Sequence, residues 1–492
     1  MNKRVPSSRG SGGKRPPRPS SANPSSPFRS QRPDGPRAGA GPGRPGRPPR
    51  GSAGAGASET SNQRPERSQG FRGRPAGSER PGRPARFSVR PNRTAAIERE
   101  GRVAETPTPP AQLAARIIAR CNARQPADLL LRQTLARRRA LTPDQAAWIS
   151  RAVFAYFRWQ HWLDSNQTLE ERVESALGLA QRFSAGEGWP SDAELVEKAI
   201  PSWVAEERIA NAAWVRSLQK DPVLWLRARP SSAAVLMQAF GPEALVPGPL
   251  PDSFRYSGSS DLFVTSEFQE GLFEIQDIAS QAVGHVCSPR PGEVWWDACA
   301  GEGGKTLHLA AMMEGKGLVW ASDRAAWRLD RLKQRAARAH CFNHRRVEWD
   351  GGVEPPTQTE FDGVLVDAPC SGMGTWGRNP HARWTTTPTD VHELAAIQRN
   401  LLRHAAPTLK SGGRLVYSVC TLSPAETTAI AEEFTALHPE FEPHPFANPF
   451  DLKADPAAAL TFWPQDTGGN GMFVAVWERR LKAAPVTPTA SA

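Results

Sequence analysis

Cysteine is scarce in this chain, with six residues among 492, at positions 121, 287, 299, 341, 370 and 420. So few and so irregularly spaced, they exclude a disulfide framework and paired CxxC zinc knuckles, and no metal site is expected. Long apolar runs are also lacking. Nothing approaches the ~18–20 uncharged apolar residues needed to span a bilayer, and the N-terminus has no apolar stretch suited to secretion. The expectation is a soluble cytoplasmic protein with free thiols and no membrane partner. A net positive charge is missing from most of the sequence despite a formal total of +12, because residues 1–100 carry 22 basic and only 6 acidic residues. That segment holds +16 and leaves −4 for the other 392 residues. A uniformly basic nucleic-acid coat is therefore excluded.

The length allows two or three domains. Residues 1–107 read as a disordered basic tail: the first 100 contain 17 Pro and 15 Gly, and so little apolar surface cannot offset the entropy of ordering the backbone. Two readings of the tail stay open, an Arg-rich RNA-contacting arm and a solubilising tail. Residues 108–222 read as helical. Leu113, Ile117 and Ile118 and then Leu129, Leu130 and Leu131 recur at helical spacing around a break at Pro126. Thr142 and Pro143 are placed as N-cap and first helical residue of the next helix. There Trp148, Ala152, Ala155, Trp159 and Trp162 form one stripe, with Val153, Phe154 and Phe157 on the far side. A helix apolar on both sides is buried, so these aromatics read as core rather than as a base-stacking platform.

Residues 223–267 suggest a small α/β connector, with a strand at 223–230 followed by a helix. From 268 to 480 short apolar strands alternate with amphipathic helices, the pattern of an α/β domain with a mainly parallel sheet. Strands are expected at 293–300, 317–323, 345–350, 361–370, 413–420 and 471–479, and helices at 305–313, 325–339 and 390–407. Residues 481–492 read as a short tail.

The chemistry-bearing residues gather at the expected strand ends. Asp297-Ala-Cys-Ala-Gly-Glu-Gly-Gly-Lys-Thr306 follows a strand and opens a helix. Gly301, Gly303 and Gly304 let the backbone approach a ligand, and the helix N-terminus offers N–H groups to an anion. Asp323 closes the next strand, where a carboxylate accepts ribose hydroxyls, Asp350 the third, and Asp367 the fourth. Four carboxylates at consecutive strand ends are expected to converge on one crevice. Cys370 and Cys420 end adjacent strands beside it. A thiolate that adds to carbon 6 of cytosine makes carbon 5 nucleophilic, and a second group then removes the carbon 5 proton. The alternative is that both cysteines are buried core residues, which is the reading taken for Cys121, Cys287 and Cys341.

Taken together, Gln276, Asp277 and Ser280, DACAGEGGKT (297–306), DAPCSGMGTWGRNP (367–380), Arg383-Trp384, Gln398, LKSGGRLVYSVCTLSPAE (409–426) and GMFVAVWER (471–479) resemble the RsmB/NOP family of S-adenosylmethionine-dependent RNA cytosine-5 methyltransferases. Residues 108–222 resemble, more faintly, the NusB-like RNA-binding domain of its ribosomal RNA members. The resemblance implies a Rossmann-like catalytic domain, S-adenosylmethionine as cofactor, RNA as partner and a monomer. It implies that Cys299, Ala300, Gly301, Glu302, Gly303, Gly304 and Lys305 surround the methionine part of the cofactor. Asp323 would hold the ribose and Asp350 the adenine, with Asp367 near the sulfonium and the cytosine ring. Cys420 matches the nucleophile, Cys370 the cysteine tied to product release, and Lys305 an active-site cation that stabilises the addition intermediate. Four positions depart from the family pattern: Gly301 and Glu302 stand where alanine and proline are usual, His381 where an acid is commoner, and Thr427 where asparagine is usual.

The implied activity is methylation of 16S ribosomal RNA, with transfer RNA as the runner-up substrate. A DNA cytosine-5 methyltransferase would use Pro369-Cys370 but has no need of Cys420. A catalytically silent ribosome-assembly factor would have lost Cys420 or the aspartates. If the tail contacts RNA, deleting residues 1–100 should weaken RNA binding and flatten its salt dependence, the log–log slope falling by about 0.7–0.9 for each phosphate no longer neutralised. An unchanged slope on truncation would leave the tail as a solubilising segment.

Overall fold

A computed structural model of the chain describes residues 108–481 except 139, 140, 187, 188 and 208. The basic tail and the C-terminal tail beyond Leu481 lie outside the described residues. No described helix is long and apolar enough to cross a membrane.

The first described part is helical: Pro110–Ile118, Ala127–Arg137, Pro143–Trp159, Leu169–Ser184, Asp192–Lys198, Ser202–Glu206 and Ala212–Ser217. Pro126 sits at the N-cap of the second helix. Thr142 and Gln145 form a reciprocal capping box on the third, which satisfies two of the N–H groups that a helix start leaves unpaired. The aromatics of that helix are packing residues, as the two-sided apolar pattern requires. Ala152, Ala155 and Trp159 are buried on one side, Val153 and Phe157 on the other, and the Trp159 ring stacks on Trp189 with centroids 5.5 Å apart.

A small antiparallel sheet follows, built from β1 (Leu224–Ala228), β2 (Leu245–Pro247), β3 (Ser253–Tyr256) and β4 (Phe273–Ile275) in the order β2-β3-β1-β4. Its fourth strand lies beyond residue 267. The β2–β3 hairpin escapes sequence reading because strands of three and four residues are too short to show alternation, and the intervening Pro and Gly residues read as loop.

The larger sheet consists of β5 (Val294–Asp297), β6 (Leu318–Asp323), β7 (His344–Glu348), β8 (Phe361–Asp367), β9 (Leu409–Val419), β10 (Phe441–Pro443), β11 (Ala459–Phe462) and β12 (Met472–Arg479). Its order is β10-β12-β9-β8-β5-β6-β7, with β11 also paired to β12. The five strands from β9 to β7 are parallel, while β12 runs antiparallel to β9, β10 and β11. Helices cover both faces of the central strands, so those strands are largely apolar on both. Consecutive Trp295 and Trp296 show this: both are fully buried, Trp295 against the helices Ile278–Cys287 and Gly304–Met312, Trp296 against Pro388–Ala405. The strand order reverses between β5 and β8, and an open parallel sheet has its ligand crevice at the carboxyl ends of the strands at such a switch point.

The helical part packs directly on this sheet. Leu195, Ile200, Val204, Trp214, Val215 and Leu218 form one core with Met373, Trp376 and Leu422. Arg383 is completely buried between the two parts and donates to the carbonyls of Ala199 (2.7 Å) and Leu218 (3.1 Å) and to Gln219 Oε1 (3.0 Å). Truncating it strands three buried acceptors. Arg383→Ala should therefore destabilise the chain by about 3 kcal/mol, given the cost of unpaired buried polar groups, with Arg383→Lys recovering only part of the loss. Urea denaturation reads this, and a loss below about 1 kcal/mol would mean water replaces the guanidinium there.

Candidate active site

Three loops at the switch point supply the polar groups. The loop after β5 is pinned on both sides: Ala298 N–H donates to the Leu365 carbonyl (2.9 Å) and Ala300 N–H to that of Ser322 (2.8 Å). Gly301 and Gly303 take positive φ values of 57° and 87°, a region that favours glycine. A Cβ on Gly303 would also lie 2.5 Å from Leu332. On the ligand side there is open space, since a Cβ on Gly301 would meet nothing within 4 Å and one on Gly304 nothing nearer than 3.9 Å. Asp323 is buried at the end of β6, where Oδ2 accepts Gly301 N–H (3.0 Å) and Oδ1 accepts Ala325 N–H (2.8 Å). An open glycine cradle, a helix N-terminus and a fixed carboxylate suit a ligand carrying both an amino acid and a ribose, as S-adenosylmethionine does.

Lys305 Nζ reaches across from the first turn of the helix Gly304–Met312 to Asp367 Oδ2 at 2.7 Å, and Ser418 Oγ donates to Asp367 Oδ1 at the same distance. Burial pulls the Lys305 ammonium toward neutrality, but the Asp367 charge and hydrogen bond outweigh it and leave its pKa raised. Asp297 lies beneath this pair, 1% exposed, with Oδ2 accepting from Thr306 Oγ1 (2.6 Å) and Oδ1 unpartnered. Burial pushes its carboxyl up to about 7, against the lowering effect of Thr306.

The Cys370 and Cys420 sulfurs are 3.3 Å apart. The Cys420 carbonyl accepts Gly374 N–H at 3.0 Å, which ties the two cysteine loops together. The Cys370 thiol hydrogen-bonded to it holds the Cys420 pKa below its ordinary value, with Lys305 adding to the effect against burial and Asp367. The same hydrogen bond, with burial, pushes Cys370 well up. The pair thus divides into a thiolate-prone Cys420 and a proton-bearing Cys370.

Other residues named from sequence are more dispersed. Strand β7 ends at Glu348, and the residue buried at its end is Trp349, so Asp350 is exposed and accepts Gly352 N–H (2.8 Å) in its own loop. The Lys305 cluster gathers Asp297, Asp323 and Asp367 but not Asp350. Cys299 is half-buried and packs against the core, its thiol raised by burial and by the three aspartates. Glu302 turns outward, with Oε1 3.7 Å from Arg331. His381 is buried against Phe157, centroids 4.6 Å apart, and Thr427 is buried with its hydroxyl on the Ser423 carbonyl (2.8 Å). Burial raises Cys121 and Cys341 to about 11 and Cys287 higher still, which fits inert core thiols. Sequence reading assigns no role to Glu426 or Ser371. Both stand inside the quoted motifs, within six residues of a site cysteine, but nothing local shows that they meet.

A family model described as 16S rRNA methyltransferase RsmB/F matches residues 285–478. The chain is 33% identical over 321 residues to the probable ribosomal RNA small subunit methyltransferase B of Synechocystis, covering 63% of this chain and 71% of that protein. It is 31% identical over 368 residues to the ribosomal RNA small subunit methyltransferase B of Thermus thermophilus, covering 72% and 85%. Over 165 residues it is 42% identical to the tRNA (cytosine(72)-C(5))-methyltransferase NSUN6 of mouse, covering 31% and 34%. Among solved structures, that of PH0851 aligns with a TM-score of 0.61 at 22% identity, over 76% of this chain and 99% of that one. NSun6 from Pyrococcus horikoshii with SFG, an analogue of S-adenosylmethionine, aligns at 0.51 and 19%, over 57% and 99%. At these identities the two structures show the fold.

The raised Asp297 carboxyl makes stability pH-dependent. Unfolded, an aspartate titrates near ~3.9; folded, Asp297 keeps its proton to about 7. Between these values the folded state binds more protons, so stability falls as pH rises, and the penalty is complete above the folded value. Asp297→Asn should abolish this component. Urea-derived unfolding free energies at pH 5 and pH 7 should converge for the variant relative to wild type, by roughly 1–3 kcal/mol. Parallel pH dependence in the two proteins would show that Asp297 ionises normally.

Proposed function

The chain belongs to the RsmB/F family of RNA methyltransferases, and from that premise we propose that it methylates carbon 5 of a cytosine in 16S ribosomal RNA through a covalent adduct on Cys420. The observation that carries the reading is the Cys370–Cys420 pair, 3.3 Å apart, beside the Lys305–Asp367 ion pair at the switch point.

S-adenosylmethionine, when bound, supplies the methyl group as an electrophile. The residues suited to hold it are Gly301 and Gly304, which border the open cradle, and Asp323 through its buried carboxylate, with Gly303 packed against Leu332 to shape the loop. Asp350 is offered to the adenine only if its exposed loop turns inward. Cys420, as thiolate, adds its electron pair to ring carbon 6, and the displaced ring electrons make carbon 5 nucleophilic. Lys305 stabilises the negative charge delivered to the ring, and Asp367 fixes the ammonium for that task. After transfer, carbon 5 carries both a methyl group and a proton. Loss of that proton to water returns its bonding pair to the ring, and the carbon 6–sulfur bond breaks with its pair returning to Cys420, restoring the thiolate. Cys370, hydrogen-bonded to the same sulfur, is placed to assist this release. The helical segment 108–222, packed against both cysteine loops, is the part we assign to holding RNA.

Transfer RNA is the second reading, favoured by the 42% identity to the mouse tRNA enzyme across 165 residues. Bisulfite sequencing of ribosomal and transfer RNA from cells with and without the gene distinguishes them: a lost site in 16S RNA supports the first, a lost site in transfer RNA alone replaces it. The mechanism is tested on a denaturing gel with labelled RNA and cofactor. Cys420→Ala should lose both methylation and adduct, whereas Cys370→Ala should methylate once and stall as a slow-migrating adduct. The reverse pattern would transfer the nucleophile to Cys370, and methylation intact in both variants would end the two-cysteine mechanism.

A further inference from the structure

Glu426 is a carboxylate with 0% exposure, at the end of the short turn Pro424–Glu426, and its oxygens are satisfied by neutral donors. Oε1 accepts Ser371 N–H (2.9 Å) and Gln398 Nε2 (3.0 Å). Oε2 accepts Ser371 Oγ (2.5 Å) and Thr421 Oγ1 (3.0 Å), and those two hydroxyls are 2.8 Å apart. Ser371 follows Cys370 and Thr421 follows Cys420. The same network reaches the other side of each cysteine: Gln398 Nε2 also donates to the Pro369 carbonyl (2.9 Å), and Tyr417 OH donates to the Glu426 carbonyl (2.6 Å). Two loops 50 residues apart in sequence therefore converge on one side chain.

We propose that Glu426 is a positioning residue that sets the separation of Cys370 and Cys420, by holding the loop of each cysteine on a single buried carboxylate. The inference rests on the two-cysteine reading above. A carboxylate can accept at both oxygens, whereas an amide would keep its oxygen for the Ser371 N–H and Gln398 Nε2 and turn its NH2 toward the Ser371 and Thr421 hydroxyls, which would then have to accept instead of donate. The charge has a second consequence. Glu426 lies on the Cys370 side of the sulfur pair and raises that thiol, while Lys305 lies on the Cys420 side and lowers it. The two flanking charges thus bias the proton toward Cys370, in the same direction as the hydrogen bond between the thiols, with Asp367 near Cys420 and the Tyr417 phenol near Cys370 as the other titratable neighbours.

The test is the pH profile of Cys420 alkylation by iodoacetamide, read by peptide mass spectrometry on the full chain, in wild type, Cys370→Ala, Glu426→Gln and the double variant. Removing a negative charge would by itself lower the Cys420 midpoint. Loss of position does the opposite, because the Cys370 thiol no longer faces the Cys420 sulfur. Glu426→Gln is therefore expected to raise the midpoint toward that of Cys370→Ala, by about one pH unit or tenfold in thiolate, and to add nothing in the Cys370→Ala background. An unchanged or lowered midpoint in Glu426→Gln, with Cys370→Ala raised, overturns the Glu426 role alone. Equal shifts in both backgrounds overturn it too, because the effect would not pass through Cys370. No shift in Cys370→Ala overturns the two-cysteine reading and the inference with it. Should Glu426→Gln not fold, Ser371→Ala and Thr421→Val each remove one arm of the clamp; a raised midpoint in either supports the proposal, and wild-type midpoints in both overturn it.

Discussion

The Lys305–Asp367 ion pair is the interaction on which the site depends, because it joins all three parts of the switch point. Lys305 comes from the first turn of the helix that follows β5, Asp367 ends β8, and Ser418 on β9 fills the second carboxylate oxygen. Taking two charges out of water costs several kcal/mol per ion, which is recovered only with close geometry and further hydrogen bonds. Here the distance is 2.7 Å and the carboxylate has a second donor. The balance of charge around the pair matters as much. Asp297 lies just beneath, and a second full negative charge there would oppose a thiolate at Cys420. Burial keeps Asp297 largely protonated below about pH 7, so below that pH Asp367 and the Cys420 sulfur are the main negative neighbours of Lys305.

A thiolate needs position as well as charge, and here the helical segment enters. Met373 and Trp376 follow Cys370, Leu422 follows Cys420, and all three are buried against Leu195, Val204, Trp214 and Leu218. Arg383 and Trp384, just beyond the Cys370 loop, donate to backbone carbonyls of the helical part, Trp384 to that of Phe157 at 2.7 Å. The cysteine loops are thus pressed between the sheet on one side and helices on the other. A helical domain joined only by a flexible linker would leave those apolar loop residues in water, at about 25 cal/mol per Å² of apolar surface. The segment is a wall of the active site as much as an attached module.

What the sequence makes legible, it makes legible through punctuation. A strand, a glycine run and a helix start are all local, so the 297–306 loop, Asp323, Asp367 and both cysteines can be placed from a single reading, and in the structure Lys305 pairs with Asp367, Gly301 with Asp323 and Cys370 with Cys420. Asp350 reads as a strand end when the apolar run is extended through Trp349, but the ladder stops at Glu348 and the tryptophan turns in to fill the core. Glu426 and Arg383 cannot be read as they act. Each looks like an ordinary surface charge in its own window, and each is buried by partners 55 or 184 residues away. The antiparallel additions β10 and β11 escape for another reason: at three and four residues they carry too little pattern to be told from loop.

Glu302 shows how a departure from a family pattern is absorbed. Proline at that place would fix one φ angle, and a glutamate gives up that constraint while adding charge near a ligand carboxylate. The loop regains rigidity from its backbone, where Gly303 N–H donates to the Ala300 carbonyl (2.9 Å) and the Glu302 carbonyl accepts from Arg335 (3.0 Å). The charge is turned outward toward Arg331, an exposed pairing worth at most about 1 kcal/mol. That is little as stability, but it suffices as orientation. The carboxylate has a cation to face on the solvent side, and the open space beside Gly301 and Gly304 stays free of negative charge for the ligand.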